Sequence, residues 1–236
     1  MANLPKSGNA LVDDVTARIR SKIMSGEIPI GSQLRQAELA SEFEVSRTPI
    51  REALRQLQSG GLIEVVPNRG AVVRVPVPWE VREAYEVRAE LEALATARSV
   101  PRISRETLAE MREANSRMYE HSQSLAAAAE SGVPLIAEGE GNDVFHELIH
   151  RTSGNSRLTR AINEINEAFP RNVSSLVLID NPRHREDNFA EHERILAALE
   201  SGDAETAQTE MRAHVLSAGE HLARWYERRS TTVLLD

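Results

Sequence analysis

Residues 36–75 read QAELASEFEVSRTPIREALRQLQSGGLIEVVPNRGAVVRV, and this stretch decides the fold of the N-terminal third. A short helix over about Gln36–Phe43 buries Leu39, Ala40 and Phe43, and Glu44-Val45 makes a turn. A second helix starts at Ser46-Arg47-Thr48-Pro49, where Ser46 or Thr48 offers a capping oxygen to free N–H groups. Pro49 is tolerated because a first-turn N–H has no helical partner. Ile50, Leu54 and Leu57 recur at i, i+4 and i+7, whereas Arg47, Arg51, Arg55 and Gln58 form a series on another face. A short helix, a tight turn and a helix with an arginine-bearing outer face is the layout of a helix-turn-helix, whose second helix enters the major groove. Arginine suits that place because its fork bonds guanine O6 and N7 together or clamps a phosphate. Two β-rich runs, Leu62–Val66 and Ala71–Val75, flank Pro67-Asn68-Arg69-Gly70 and predict a hairpin.

Upstream, Leu11, Val15, Ile19 and Ile23 form an i+4 series that ends at Gly26, so a further helix precedes the pair. Downstream, Val75-Pro76-Val77-Pro78 can continue neither a helix nor a central strand, and marks a boundary. Charge divides there too. Residues 1–77 carry ten Lys/Arg against eight Asp/Glu, net +2, while the rest carries 18 against 28, net −10, within a chain of 236 residues and net charge −8. The basic part is the candidate for phosphate contact.

The segments Gly31-Ser-Gln-Leu, Glu38-Leu-Ala, Val45-Ser-Arg-Thr-Pro-Ile-Arg-Glu-Ala-Leu, Gly61-Leu-Ile and Asn68-Arg-Gly-Ala-Val-Val resemble the DNA-binding domain of the GntR family of bacterial regulators. The resemblance covers about residues 10–75. It implies that Arg35, Ser46, Arg47, Thr48, Arg51 and the wing-tip Gly70 approach DNA.

Beyond Trp79 the chain reads as about six long amphipathic helices, and the fold class is mainly α. A winged helix-turn-helix of three helices and a β-hairpin precedes an antiparallel all-helical bundle of six or seven helices. In the first bundle helix Arg88 falls on the inward stripe of Val81, Tyr85, Leu91 and Ala95. A charge there reaches water, pairs with a residue such as Glu92, or awaits an anionic ligand. Among the seven histidines, His146 follows Asn142 by one helical turn. His192 and His214 stand on two further helices beside Ile195-Leu196 and Val215-Leu216. Three imidazoles and an amide or carboxylate oxygen in a bundle core suit zinc or another divalent transition metal. By spacing alone, His146 with His150 is a rival pair.

Arg88 with Glu90–Ala97, Phe145-His146-Glu-Leu-Ile, Glu191-His192-Glu-Arg-Ile-Leu and Met211-Arg-Ala-His214 look like the FCD ligand-binding domain that accompanies this DNA-binding domain in the FadR subfamily. That resemblance places metal ligands on Asn142, His146, His192 and His214, and sets Arg88 against a ligand carboxylate. The first ligand is commonly Asp in that family. Here Asn142 is neutral and Asp143 lies one position along, so a register shift could let Asp143 serve instead. Six helices, rather than seven, would point to the VanR-like branch.

The expected organisation is a tail over 1–9, the winged helix over 10–76, the FCD-type domain over 77–228 and a tail over 229–236. The function implied is a homodimeric transcriptional regulator on operator DNA, a repressor released by a small carboxylate. Zinc is the first choice of cation, with nickel or manganese as alternatives. A metal-dependent hydrolase with an accessory winged helix is the rival, since three histidines and an oxygen can leave an open position that activates water. The chain has no cysteine, which excludes disulfides and thiolate chemistry and points to a cytoplasmic protein. No apolar run is long enough to span a bilayer, and Met1–Asp14 lacks the apolar segment of a signal peptide.

Overall fold

The computed structural model describes residues 8–130 and 140–233. In chain order these form α1 (Gly8–Met24), α2 (Gln36–Glu42), α3 (Arg47–Ser59), β1 (Ile63–Val66) and β2 (Gly70–Val73). Then follow α4 (Pro78–Ser99), a 3₁₀ turn (Val100–Arg102), α5 (Arg105–Glu130), α6 (Glu140–Thr152), α7 (Ser156–Asn166), α8 (Arg171–Asp180), α9 (Pro182–Ser201) and α10 (Ala204–Val233). The chain divides into two compact units. One comprises the residues up to Val75 with Glu167–Pro170, the other Pro76–Asn166 and the residues from Arg171 onward.

In the first unit the i+4 series of α1 packs on the apolar stripe of α3. Val15, Ile19, Ile50 and Leu57 are fully buried, and Leu39, Phe43, Leu62 and Val73 close the core. The α2–α3 turn is set by its backbone. Glu44 takes the left-handed conformation (φ 55°), so its N–H reaches Ser41 O at 3.3 Å and the Val45 N–H reaches Ala40 O at 3.0 Å. This double bond from the two residues past a helix satisfies carbonyls that the helix leaves free. Ser46 stands at the N-cap of α3, as its position predicts, but its hydroxyl makes no capping bond.

The hairpin pairs Ile63 with Val73 and Val66 with Gly70. Asn68 (φ 64°) and Gly70 (φ 73°) supply the left-handed residues its tight turn requires. Residues 31–34 lie beside β2 through an isolated bridge of Gln33 to Val72, with Leu34 N–H on Ala71 O at 2.8 Å and Val73 N–H on Ser32 O at 2.9 Å.

The second unit holds seven α-helices among the described residues, not six. Two of them, α7 and α8, are parted ahead of Pro170, which has no backbone donor and disfavours helix in the residue before it. The ground for a VanR-like placement falls with the count of six. Helices α4 and α10 lie antiparallel: Arg82 reaches Glu220 and Glu227 at 2.8 Å, and Arg212 reaches Glu90 at 2.6 Å. Gly219 permits their close approach, because a Cβ built there would sit 2.5 Å from the Tyr85 Cβ. Asn181 Oδ1 accepts the His184 N–H at 3.1 Å to start α9, and Asp203 Oδ1 accepts the Thr206 N–H at 3.0 Å to start α10. Helices α4, α5, α6, α9 and α10 together bring buried polar side chains to one place in the bundle.

Candidate metal and nucleic-acid sites

Three imidazoles meet inside the second unit. His146 on α6, His192 on α9 and His214 on α10 are all buried. The Nε2 atoms of His192 and His214 lie 3.2 Å apart, and those of His214 and His146 3.3 Å apart. The opposite nitrogen of each ring is anchored. His146 Nδ1 faces Glu92 Oε2 at 3.2 Å, His214 Nδ1 faces Glu191 Oε2 at 2.8 Å, and His192 Nδ1 faces Asn115 Oδ1 at 2.9 Å. Asn115 is fixed in turn, since its Nδ2 donates to Glu193 Oε1 at 2.8 Å and Phe189 O at 3.3 Å.

With an acceptor on every Nδ1, each neutral ring carries its proton there and aims a lone pair from Nε2 at the shared point. Lone pairs facing one another at 3.2–3.3 Å repel unless a cation lies among them. Burial keeps two of the rings from supplying that charge as protons: it pushes His146 down to about 4 and His192 well below its ordinary value. The spacing suits a metal. A tetrahedral ion with nitrogen ligands at about 2.0–2.1 Å has ligand–ligand edges of about 3.3 Å. Anchoring the distal imidazole nitrogen by a carboxylate or amide is the usual support of a metal-bound histidine. The Phe145 ring stacks on His192 at 3.9 Å, nearly parallel, and covers it from one side.

An oxygen is also available. Asn142 Oδ1 is buried with no hydrogen-bond partner among the described residues, one turn ahead of His146 on α6. Asp143, the alternative, is engaged elsewhere, its charge acting on Arg88. The donor set of three imidazoles and one amide oxygen therefore fits a divalent transition metal.

The rival His146/His150 pair forms a second buried group with Glu92, itself able to hold an ion, in which His150 Nε2 lies 2.6 Å from Glu92 Oε2, the oxygen that also faces His146 Nδ1. Glu92 is fully buried and works as a hub, accepting from both imidazoles while Arg88 Nε and Nη2 approach its other oxygen at 3.1 Å. Burial alone would raise the Glu92 pKa, but His146, His150 and Arg88 outweigh it and hold the carboxyl well below its usual range. Of the readings open for Arg88, pairing with Glu92 is the one observed, and the pair stands beside the imidazole cluster. Sequence reasoning named Glu92 as a partner for Arg88 and missed its bond to His146. It also missed Asn115 and Glu191. The signal for Asn115 was an amide on an otherwise apolar face of α5, between Met111 and Met118.

In the first unit the candidate DNA-contacting residues lie on the outside. Arg35, Ser46, Arg47, Thr48, Arg51 and Gly70 are all exposed. Arg35 pairs with Glu38 at 2.9 Å and Arg51 with Glu52 at 3.4 Å, whereas Arg47 has no ion pair or hydrogen bond among the described residues. Arg55 pairs weakly with Glu52 at 3.6 Å. Arg47 and Thr48 open α3, where free N–H groups and the helix dipole favour an anion.

A winged helix-turn-helix joined to a helical sensor unit defines a ligand-responsive DNA-binding transcriptional regulator. The comparisons with known proteins agree. The profile "Bacterial regulatory proteins, gntR family" matches residues 11–73, and that of the FCD domain matches residues 83–217. The chain belongs to the GntR family, in its FCD-containing, FadR-like group. It is 30% identical over 183 residues to the gluconate operon transcriptional repressor of Bacillus licheniformis, covering 77% of this chain and 70% of that one. A protein of Paenarthrobacter nicotinovorans named "Probable D-xylose utilization operon transcriptional repressor" is 28% identical over 201 residues, covering 82% and 80% of the two chains. The solved structure of E. coli McbR/YncC shares the fold, with a TM-score of 0.70 at 22% identity over 92% of this chain and 98% of that one. The family and these relatives are regulators, which sets aside the hydrolase reading. No helix among the described residues is long and apolar enough to cross a membrane.

Proposed function

We propose that this regulator is a homodimeric repressor released from its operator by a small carboxylate bound at a metal centre in the FCD domain. The observation that carries the reading is the convergence of three anchored imidazoles, with an unpartnered Asn142 oxygen one helical turn ahead of His146. Asn142, His146, His192 and His214 hold the ion, zinc by preference with nickel or manganese as alternatives, and the ion supplies a positive centre for the effector's carboxylate. Arg88 contributes the second cationic contact. Its Nε and Nη2 are turned to Glu92, which orients the guanidinium without consuming its remaining N–H groups.

On the DNA side α3 enters the major groove, Arg47 and Arg51 reach base edges or phosphates, and Ser46 and Thr48 bond the backbone. Arg35 and the Gly70 wing tip add flanking contacts. Two copies read the halves of a near-palindromic site, since two-fold protein symmetry is mirrored in the operator. The acid weakens this binding by preferring the arrangement of the paired domains that fits the operator less well. The chain works in the cytoplasm, where the operator is.

Fluorescence anisotropy on the DNA upstream of its own gene tests this, with a panel of mono- and dicarboxylates. An acid is expected to weaken operator binding of the metal-loaded protein at least about tenfold, in the range typical of allosteric coupling. Chelation or Arg88→Ala should abolish the response. A protein whose DNA affinity ignores every acid, loaded or chelated, would contradict the proposal.

A further inference from the structure

Helix α3 carries one acid among its 13 residues, Glu52. Its side chain reaches solvent beside Arg51 and Arg55, away from the buried row of Ile50, Leu54 and Leu57. The carboxylate is divided between the two arginines. Oε1 accepts from Arg51 Nε at 3.4 Å, and Oε2 lies 3.6 Å from Arg55 Nη1. Arg47, on the same outward series, has no ion pair among the described residues.

Stability does not account for this acid, because exposed ion pairs contribute little to a fold. Its charge is a cost. Binding to DNA without regard to sequence comes from cations that neutralise phosphates, and a carboxylate among the arginines opposes every such contact. The pair also constrains Arg51. Held through Nε, the guanidinium keeps its two terminal nitrogens as a fork for guanine O6 and N7. A swing of Arg51 onto a phosphate gives up Glu52, whereas a base at the end of the fork leaves the pair intact.

We propose that Glu52 is a specificity-determining residue of the reader. It positions Arg51 for a base and penalises complexes in which that arginine is spent on a phosphate. It therefore widens the gap between operator and random DNA rather than raising affinity as such. The inference rests on the reading that α3 enters the major groove with Arg51 at the base edges, and it gives the acid on that helix a part which that reading leaves blank.

Fluorescence anisotropy of the full-length protein tests the proposal, on the DNA upstream of its own gene and on a scrambled duplex of equal length and composition, across a salt series. Glu52→Gln and Glu52→Ala should each bind the scrambled duplex tighter, with a steeper loss on added salt, as the freed arginines take phosphates. The ratio of the two affinities should fall about fivefold or more, with melting unchanged. In an Arg51→Ala background the same substitutions should move the ratio by about twofold at most, because plain repulsion acts on both duplexes alike. An unchanged ratio in both variants overturns the proposal. So does a fall equally large without Arg51, which would make Glu52 itself a reader of cytosine N4. A lowered melting temperature in both variants overturns it too, since the carboxylate would then serve the fold. If wild type shows no preference for the upstream DNA, or Arg51→Ala leaves that preference unaltered, the groove reading itself has failed, and this inference with it.

Discussion

The two units of this chain put their polar chemistry in opposite places. In the DNA-reading unit the core is apolar, from Val15 and Ile19 to Ile50 and Leu57, and the arginines stand outside it. In the sensing unit the chemistry is the core: Glu92, Asn115, His146, His150, His192 and His214 are buried among Phe145, Ile195 and Val215. A reader built this way folds without its partner, because its hydrophobic contacts are complete before DNA arrives. The sensing unit leaves facing lone pairs and an amide oxygen without a partner among the described residues, which is the ground for the cation proposed there. If that proposal holds, its stability is tied to what it binds.

Removing the metal should break the comparison most visibly. An ion held at about a thousand times its Kd stabilises the folded state by about 4 kcal/mol, so chelation should lower the melting temperature of the sensing unit by about 10 °C. Calorimetry should show the transition of the reading unit unmoved. If both fall together, the cation is not specific to the sensor.

Leu57→Ala is the converse. It opens a cavity in the reader's core at a fully buried position and should cost about 2–5 kcal/mol in that unit, with metal affinity unchanged. Gly219→Ala should cost the sensor about 1–3 kcal/mol, because the added methyl meets the Cβ of Tyr85 rather than the far end of a flexible side chain. Arg51→Ala, in contrast, should leave melting unchanged and weaken operator binding by about 1–3 kcal/mol, with relaxed specificity if the fork reads a base. A loss of stability in that variant would show that the side chain serves the fold.

A further difference between the units concerns acid. All seven histidines lie beyond residue 120, so the reader has none to titrate. Burial, with His221 and His214 nearby, pushes His184 down to about 3 from 6.5. The unfolded chain then binds that proton first. The His184 contribution is intact above about pH 6.5 and is lost as the pH falls toward 3. His184→Phe removes the dependence, so its stability relative to wild type should rise across that window in denaturation curves of the chelated protein. A parallel pair of curves would place the acid sensitivity elsewhere.

The same contrast explains what could be read from the sequence. The reader was legible because each of its signals is local: an i+4 stripe, a turn ahead of Pro49, an Asn-Arg-Gly hairpin tip. The sensor's histidines were only partly so, since spacing left His150 a rival of the triad and the family resemblance chose between them. The partners that orient the triad lie far away along the chain. Glu92 precedes His146 by 54 residues and Asn115 precedes His192 by 77, so no periodicity connects them. The count of about six fell short of the seven observed because helix boundaries, such as the one between α7 and α8, are the feature that apolar periodicity fixes least.

Equilibrium dialysis of the chelator-treated protein against Zn²⁺, followed by elemental analysis, tests the account at its centre. One ion per chain should be retained, and replacing His146, His192 or His214 by alanine, one at a time, should each weaken its binding at least about a hundredfold, while Arg51→Ala leaves it unchanged. Retention of no ion, or of an ion indifferent to all three histidines, would contradict the claim that the sensing unit is organised around a cation.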